Sequence, residues 1–508
     1  MKKIFKYLLI GLFGMLVLSS CDSKLLETEP TDSMSGSTFM SDATKALIPL
    51  NGIYRSMYTA GWSTGGNTHQ CFGISAYNLM AEVMGDDFIM GAQGSGWFWF
   101  DAAYNVKTRY TSSSWRSYDL WNAYYTWVSN ANYIIAAEET MEGSSEDVGY
   151  VIGQAYAIRA YSYFMLAQIF ARNYNFSSDP CVPIYNGPTM TTTTGQPRSS
   201  VSEVYAQIDS DIDKAIEMLS KSKAQRHASH MGYAVAQGLK SRICLVEEKW
   251  DAALAAANEA IAASGCRSLP VNQWMGTNSV DAANVMWGAQ IVSDQSGMYA
   301  SFFAHMSTGV SYGANAPKQI SPWLYNKMGA SDTRRAWWDP NQSYLQHKFE
   351  FSDLQTWMGD YIWMRVEEMY LNAAEAACHK GDDATAKQYL MEVMAQRDPN
   401  YSTSKSGNAL KTITTDESGS LLEEILIQRR IELWGEDGRI YTIRRLHQGF
   451  ERTSANGWPD GLLIPTHKAA AADPNSYLWV LTIPQAEFDG NENMDASKDQ
   501  NPIGDYPE

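Results

Sequence analysis

Apolar residues recur every three or four positions over several long stretches of this 508-residue chain. This spacing places them on one face of a helix, so an amphipathic or buried helix is predicted for each stretch. A capping box of Ser200 and Glu203 marks the start of one of them. The pattern therefore predicts a mainly α fold. The predicted helical segments are residues 115–139, 153–171, 201–219, 229–264 and 363–397.

Two of these segments have the form of a helix pair. In residues 229–264 the helices are separated by the turn EEK, and in residues 363–397 by HKGDD. Ala253 and Ala386 stand where the second helix would cross the first. Small side chains at a crossing allow two helices to approach closely, which is typical of tetratricopeptide repeats. We therefore predict tetratricopeptide-like helix pairs with a degenerate repeat.

Long stretches without helical periodicity lie between the helices. Residues 59–114 and 266–360 are rich in Gly, Ser, Asn and Trp. Irregular segments of this length inside a domain usually carry function, so we expect the ligand-binding part of the protein here. A few short strands are predicted as well, at residues 285–292 and 478–483.

The first 21 residues carry an export signal. Three lysines within the first six residues precede an apolar run at 8–18, which is too short to span a bilayer. The run ends in Leu18-Ser19-Ser20-Cys21, the pattern that precedes the lipid-modified cysteine of bacterial lipoproteins. An ordinary signal peptide with a chance cysteine is the alternative. We predict a signal peptide at 1–20, lipidation of Cys21 and a polar tether at 21–38, which together anchor the protein without spanning the membrane.

The net charge is −17 at pH 7, and removal of the lysine-rich signal makes the chain still more acidic. This charge argues against nucleic acid as a partner, because phosphate backbones are bound by clusters of Lys and Arg. The five cysteines besides Cys21 show no CxxC or Cys/His ligand spacing, so we predict no structural zinc site. We predict no other metal and no cofactor; calcium at the acidic stretch 489–495 is the alternative. The chain has 17 Trp and 29 Tyr, which suits both a large core and a sugar-binding surface.

Short motifs follow one another along nearly all of the mature sequence. They are Leu25-Leu26-Glu27-Thr28-Glu29-Pro30, Trp121-x-x-Tyr124 with Asn130-Ala131-Asn132, Arg159-Ala160-Tyr161, Pro197-Arg198-Ser199-Ser200-Val201, Ala374-Glu375-Ala376 and Ile483-Pro484-Gln485. Each motif alone is weak, but their order and spacing together are specific. In this order the chain resembles the SusD/RagB family of outer-membrane nutrient-binding lipoproteins.

The block at residues 428–445, QRRIELWGEDGRIYTIRR, carries the strongest part of this resemblance. It is similar to the family pattern ERRrELafEGhRwfDLrR. The departures from that pattern are Gln428, Asp437, Gly438 and Thr442. The positions that match it are Arg429, Arg430, Glu432, Leu433, Glu436, Arg439 and Arg445.

The resemblance implies a mainly helical fold, with tetratricopeptide-like pairs packed against a loop-rich ligand-binding part. It implies a single SusD-like domain over residues 39–508. It also implies a location on the outside of the outer membrane. The implied partner is a SusC-like TonB-dependent transporter, which such proteins cap as a lid.

No sequence motif predicts a catalytic centre. The acidic and basic residues of the 428–445 block lie three or four positions apart, which predicts ion pairs along one helix. Asp86-Asp87 and Glu367-Glu368 are adjacent carboxylates and are interpreted as solvated acids. A glycosidase instead needs two carboxylates that face each other about 5–10 Å apart. The pair His227-x-x-His230 is interpreted as a surface pair at the start of a helix, because no acid completes a metal motif.

Sugar binding needs flat aromatic rings flanked by side chains that form hydrogen bonds. Trp97 and Trp99 stand in a Gly-rich loop and would share a face if that loop were extended. Trp121 and Trp127, in contrast, lie in a helical pattern and are assigned to the core. The predicted ligand-binding residues are Trp62, Asn67, Trp97, Trp99, Tyr299, Phe302, Asn315 and Trp323.

These observations favour a non-enzymatic protein of the cell surface that captures an oligosaccharide and delivers it to a transporter. One alternative keeps the fold and replaces the sugar with a peptide or another nutrient. A second alternative is a surface glycoside hydrolase. Only the aromatic loops and the abundant acids support it.

Overall fold

The computed structural model describes residues 39–62, 67–105 and 110–502. The predicted signal peptide, the lipidated Cys21 and the tether lie outside the described residues. Within the described part the chain forms mainly α-helices with a few short strands, so the predicted fold class is confirmed.

Each segment that the apolar pattern predicted contains long helical structure. The helix predicted at 153–171 begins earlier, at Ser145, and the helix Ala43–Ser56 was not predicted. The predicted capping box is also present, with Ser200 and Glu203 each bonding the backbone of the other. The helices are α1 Ala43–Ser56, α2 Ile74–Val83, α3 Trp99–Ala102, α4 Trp115–Ile135, α5 Ser145–Phe170, α6 Val201–Leu219, α7 Tyr233–Val246, α8 Trp250–Ser264, α9 Phe302–Met306, α10 Ser311–Asn315, α11 Pro322–Tyr325, α12 Val366–His379, α13 Asp383–Met394, α14 Leu421–Glu432, α15 Arg439–Arg445, α16 Lys468–Ala472, α17 Gln485–Gly490 and α18 Ala496–Asp499.

The long helices form a continuous array in which each packs on the next. Helix α4 contacts α5, α5 contacts α6, α6 contacts α7, and α7 contacts α8. Helix α8 then packs directly on α12, although about a hundred residues separate them in sequence. The chain therefore leaves the array after α8, forms the loop-rich segment 266–360, and returns to the array at α12. That segment is an insertion between two helices that are neighbours in space.

Small residues set the close approach of the helices, as the two predicted pairs suggested. Ala253 and Ala386 are fully buried at the crossings. Helices α5 and α6 approach closely at two glycines. A Cβ atom on Gly149 would lie 2.6 Å from the backbone oxygen of Met218, and one on Gly153 would lie 2.7 Å from a side-chain carbon of Leu219. Larger residues at these two glycines would push the helices apart.

Two small antiparallel sheets organise the loop-rich segments. One sheet has the strand order β1-β3-β5-β4, and the other pairs β2 with β6. Phe88 pairs with Ile320 in the first sheet, which joins the two loop-rich segments to each other. The strands are β1 Phe88–Met90, β2 Val285–Ala289, β3 Lys318–Ile320, β4 Trp338–Asp339, β5 Leu345–Gln346 and β6 Tyr361–Arg365.

The loop-rich segments hold more regular structure than the sequence pattern predicted. Segment 59–114 contains helix α2, whose residues are buried on nearly every side and so show no amphipathic period. The strand predicted at 285–292 is present as β2, whereas the strand predicted at 478–483 is wrong. That stretch begins in the 3₁₀ turn Tyr477–Trp479, and the Leu481 amide donates to the carbonyl of Ile169 in α5, 3.0 Å away. The Leu481 amide therefore has its acceptor at a helix end, and the Ile483 amide has its acceptor in the Gln500 side chain, 2.7 Å away, instead of on a neighbouring strand.

The charged residues of the 428–445 block do not form the intrahelical ladder that their spacing predicted. Arg429 pairs with Asp437 in the turn after α14, 2.9 Å away, and most of the others pair with residues far away in the sequence. Arg430 lies 2.7 Å from Asp87, and Arg439 lies 2.8 Å from Asp86. Both aspartates are buried, so their interpretation as solvated acids is wrong. Burial alone would raise the pKa of Asp86, but the two arginines outweigh burial and hold that pKa below its usual value.

Glu432 occupies the centre of a second buried ion network. Its carboxylate lies 2.8 Å from Arg397, 3.0 Å from Arg365 and 3.4 Å from Arg334, and all four side chains are fully buried. Arg397 also contacts Glu367, which is another predicted solvated acid that proves to be buried. The block thus ties α14 to β6, to α12 and to the segment around Arg334, so its role in the fold is architectural.

The two histidines of the 227–230 motif lie in different environments. His227 is exposed, as predicted, but His230 is buried, so the prediction of a surface pair is wrong. The Nε2 atom of His230 donates to the Asn51 side chain at 2.8 Å, and its Nδ1 atom accepts from the Tyr150 hydroxyl at 2.9 Å. Burial lowers the pKa of His230 to about 4, which keeps the ring neutral in this hydrogen-bonded position.

The described residues contain no feature typical of a membrane span or of a metal site. None of their helices is both long and apolar enough to cross a bilayer. No group of three or more His, Cys, Asp or Glu side chains among them is arranged to hold a metal ion.

Candidate functional site

The loop-rich segments meet at the surface in a cluster of four rings, which we call the aromatic patch: His69, Trp97, Tyr299 and Tyr312. His69 is central. Its ring centroid lies 5.3 Å from that of Trp97, 5.6 Å from that of Tyr299 and 5.7 Å from that of Tyr312. Tyr312 closes the cluster at 5.7 Å from Tyr299 and 6.0 Å from Trp97. Two of the eight predicted ligand-binding residues, Trp97 and Tyr299, are thus brought together.

The patch is open to solvent on its outer side. Tyr299 is 47% exposed, and the other three rings are half-buried. Tyr299 stacks on His69 with an interplanar angle of only 13°, so it presents its other face outward. Tyr312 shares a hydrogen bond with Nδ1 of His69, and burial raises the pKa of this tyrosine, which keeps its hydroxyl protonated. The patch therefore combines flat ring faces with a polar hydroxyl at its edge.

Each ring is positioned by a short element. His69 lies in the 3₁₀ turn Thr68–Gln70, and Tyr312 lies in α10. Trp97 precedes α3 in a turn that Phe98 completes with a φ of +61°. The loop is therefore not extended at this point, and Trp97 and Trp99 do not share a face as predicted.

A buried arginine holds two of these elements together. Arg116 of α4 donates to the backbone oxygen of Gln70 at 3.0 Å. Two nitrogens of its guanidinium group also donate to the carboxylate of Asp101, at 2.6 and 3.1 Å. The Gln70 side chain in turn accepts from the Phe98 amide at 2.8 Å. Arg116 therefore fixes the turn that carries His69 relative to the turn that carries Trp97.

A second histidine supports the patch from below. His305 of α9 donates from Nε2 to the backbone oxygen of His69 at 2.6 Å. Its ring stacks on Tyr312, with centroids 5.0 Å apart. Burial, with a further contribution from the nearby Lys318, lowers the pKa of His305 to about 3. The ring is therefore neutral at physiological pH, and it positions His69 and Tyr312 without placing a charge beneath them.

Two other predicted residues lie near the patch, and the remaining four make contacts elsewhere. Asn315 is exposed at the end of α10, against the loop that holds Gly94, and Asn67 directly precedes the turn that carries His69. Trp62 instead packs edge-on against Trp127, and its Nε1 atom donates to the Ser56 carbonyl at 3.1 Å.

The remaining three predicted residues serve other contacts. Trp99 lies over Gly461. Trp323 lies beneath the guanidinium group of Arg430, 4.7 Å away. Phe302 is only 8% exposed and packs among other phenylalanines, so its ring offers no face to a ligand. Its assignment to ligand binding is therefore corrected to the core.

His69 and Tyr312 were absent from the predicted ligand-binding residues. Tyr312 lies in the 293–325 segment among aromatic residues that were predicted to bind ligand. The sequence does not show which of these rings is exposed. His69 lies between two selected features, Asn67 and the Trp97 loop. Histidine is more often a polar core residue than a platform, and the sequence alone gives no sign that it joins the two segments.

Comparison with known sequences now identifies the family. Residues 77–245 match a SusD-like sequence model described as starch-binding, associating with outer membrane. Residues 282–503 match the model of the SusD family. The chain belongs to the SusD/RagB family. No match was found among the curated proteins.

Solved structures with SusD-like folds superpose over nearly the whole chain. A SusD-like carbohydrate binding protein from Bacteroides vulgatus is 24% identical, with a TM-score of 0.73, and the match covers 92% of this chain and 100% of that one. A SusD superfamily protein from Bacteroides thetaiotaomicron is 22% identical, with a TM-score of 0.71, covering 91% and 100%. Surface glycan-binding protein A from Bacteroides fluxus is 18% identical, with a TM-score of 0.64, covering 91% and 99%. At these identities the likeness establishes the SusD fold.

Proposed function

We propose that this SusD-family protein is a non-enzymatic binding protein of the cell surface that captures an oligosaccharide through the aromatic patch. The observation that carries the proposal is the patch itself. His69, Trp97, Tyr299 and Tyr312 come from two separate loop-rich segments, yet their rings meet at an open surface. Sugar rings have C–H-rich faces that pack on aromatic rings and hydroxyls that bond polar edges, and the patch offers both.

The geometry of the adjacent acid pairs favours binding over hydrolysis. A glycosidase needs two carboxylates free to face a glycosidic bond. Asp86 and Asp87 are instead buried against Arg430 and Arg439. Glu368 is likewise held 2.6 Å from Arg242. Incubating the purified protein with glycans and measuring new reducing ends tests this point, and sustained turnover would overturn the non-enzymatic role.

Replacing Tyr299 with alanine should weaken glycan binding by about 1–3 kcal/mol, which is about 5- to 150-fold in Kd. The ring is the most exposed of the patch, so it supports little of the core and the Tm should hardly change. A glycan array identifies the tightest ligand of the wild type, and isothermal titration then compares that ligand on the wild type and the variant.

The matched control for this experiment is Tyr389→Ala. Tyr389 is a half-buried tyrosine of α13 whose hydroxyl bonds Asn258 at 2.6 Å, within the helical array. This change should leave glycan affinity unaltered. Equal affinity of Tyr299→Ala and wild type would remove the patch as the site. Selective binding of a peptide panel, with no glycan bound, would favour the alternative in which the same fold captures peptides.

The lipid anchor and the transporter complete the proposal. We expect the wild type to fractionate with the outer membrane, to be removed from intact cells by external protease, and to co-purify in mild detergent with a large TonB-dependent β-barrel protein. Cys21→Ser should release the protein from the membrane, because a single thiol carries the acyl group. Membrane retention of this variant, or protection of the wild type from protease, would contradict the proposed location. Recovery of the wild type only as a free monomer would contradict the proposed partner.

A further inference from the structure

An open cavity separate from the aromatic patch shares no lining residue with it. It is a groove of about 500 Å³ between α4, the loop at 185–195 and α17. This volume is within the range of small-molecule binding sites, about 300–1,000 Å³. We call it the lateral groove. Its aromatic residues are Tyr118, Trp121, Tyr125 and Tyr185.

The aromatic floor of the groove is held rigidly. The ring centroids of Trp121 and Tyr125 are 4.8 Å apart, and those of Tyr125 and Tyr185 are 5.9 Å apart. The Tyr125 hydroxyl donates to the carbonyl of Pro183 at 2.7 Å, and the Trp121 indole donates to Glu487 at 3.0 Å. The polar ends of these rings are thus engaged within the protein. Trp121 is only 6% exposed, so the half-buried tyrosines provide the accessible ring surface.

The walls of the groove are polar. Ser129 of α4 and Thr189 of the opposite loop lie 2.9 Å apart, which fixes the loop against the helix. On the α17 side, Asn491 is buried and donates to Glu487 at 2.7 Å, so this carboxylate is held in place as an acceptor. The other polar wall residues are Asn122, Thr126, Asn130, Thr193 and Thr194.

The charges of the residues that line the groove indicate which class of ligand it can bind. The described residues that line the groove include one acid, Glu487, and neither Lys nor Arg. A phosphate-bearing or acidic ligand would find no counter-charge here. A neutral ligand with many hydroxyls, in contrast, would find ring surfaces below it and hydroxyl, amide and carboxylate groups at its sides. An extended peptide is favoured by an exposed strand edge, whereas the described walls of this groove are helix and loop.

We propose that the lateral groove is a second carbohydrate-binding site, which takes a short stretch of a neutral glycan. This site is additional to the one proposed at the aromatic patch. Trp62, which the sequence predicted to bind ligand, lies beside the groove and is not part of the patch. The Asn122 side chain at the end of the groove donates to the Trp62 carbonyl at 3.2 Å. Two separate sites on one surface protein would let it hold a long polysaccharide at two points, which raises avidity by effective concentration.

Native affinity electrophoresis tests the proposal with four neutral polysaccharides as probes: starch, xyloglucan, galactomannan and mixed-linkage β-glucan. The mature chain is compared as wild type, Tyr299→Ala, Thr126→Trp and the double variant. Thr126 is a half-buried residue of the groove lining, so a tryptophan there should fill part of the groove, whereas Tyr299→Ala changes only the patch. We expect the Tyr299→Ala form to remain retarded by at least one probe. The double variant should lose about fivefold or more of that remaining affinity.

Two further variants keep this test decisive. Tyr118→Ala removes a half-buried ring of the groove without adding volume, and it should reproduce the loss if Thr126→Trp folds poorly. Thr385→Trp makes the same large substitution on α13 and should leave retardation unchanged. Unaltered retardation when Thr126→Trp or Tyr118→Ala is added to Tyr299→Ala would overturn the proposal. So would the absence of retardation of the wild type by all four probes, or a groove-dependent affinity for a peptide library alone.

Discussion

Replacing Glu432 with glutamine should lower the free energy of unfolding by about 3–5 kcal/mol, the usual cost of breaking a buried ion network by removing one partner. Glutamine keeps the volume of the side chain but removes its charge. Arg334, Arg365 and Arg397 would then lose the buried carboxylate that they share. Their remaining acid partners are Asp332, Glu367 and Glu436. Urea denaturation at pH 7, followed by circular dichroism, measures the change.

A surface ion pair provides the control for this prediction. Glu417 pairs with Lys327 and its side chain is 57% exposed, so Glu417→Gln should cost about 0–1 kcal/mol. A loss of less than about 1 kcal/mol for Glu432→Gln would mean that the arginines find other partners, and that the block does not hold the fold together.

The same carboxylate predicts a pH dependence. Burial alone would raise the pKa of Glu432, but Arg397, Arg365 and Arg334 outweigh burial and hold that pKa well below its usual value. A lowered pKa contributes stability above the pKa of an unfolded glutamate, about 4.3, and loses it as pH falls. The difference between wild type and Glu432→Gln should therefore shrink below about pH 4.

Local patterns predicted the helical part of this fold well. The period of apolar residues placed α4, α5 and α6, because each is long enough for the pattern to repeat several times. The capping box at Ser200 was readable because its two members lie three residues apart. Helix α2 was missed, since a helix buried on nearly all sides has no polar face to set a period.

Charge pairing could not be predicted, because it depends on contacts between distant parts of the sequence. Asp87 meets Arg430, which lies 343 residues further along the chain. Spacing within 428–445 suggested pairs along one helix. Because an unpaired buried charge is costly, these side chains are instead paired with groups on other elements. The same limit explains the wrong prediction for the acids at 86–87 and 367–368. Without knowledge of their distant partners they were predicted to be solvated, but they are buried in the folded chain.

The candidate site was predicted in part, for a similar reason. Composition selected the two loop-rich segments, and those segments do meet at the aromatic patch. The turns between the aromatic residues determine which of the rings faces outward. Trp97 joins the patch while Trp99 packs over Gly461, because the left-handed Phe98 turns the chain between them. His69 and Tyr312 complete the patch through contacts across more than 240 residues.

Arg116→Met should both destabilise the protein and weaken the aromatic patch. Methionine replaces the apolar length of the side chain but leaves Asp101 and Asp119 buried without their cation, which should cost about 3–5 kcal/mol in unfolding free energy. The turn carrying His69 would also lose its bond to Arg116 at the Gln70 carbonyl. Glycan affinity of the folded fraction should therefore fall, although Arg116 itself is fully buried and touches no ligand.

The cost of Arg116→Met should depend on pH in a defined direction. Burial raises the pKa of Asp119 to about 6 even with Arg116 beside it, and loss of the arginine should raise it further. A carboxyl with a raised pKa gains stability as pH falls, because the folded state then binds a proton that the unfolded state does not. The variant should thus lose more stability at pH 8 than at pH 5. Arg226→Met, which removes a partly exposed arginine paired with Asp147, should show little loss at either pH. A loss for Arg116→Met that is equal at both pH values would contradict the role of Arg116 as the cation that balances these two buried acids.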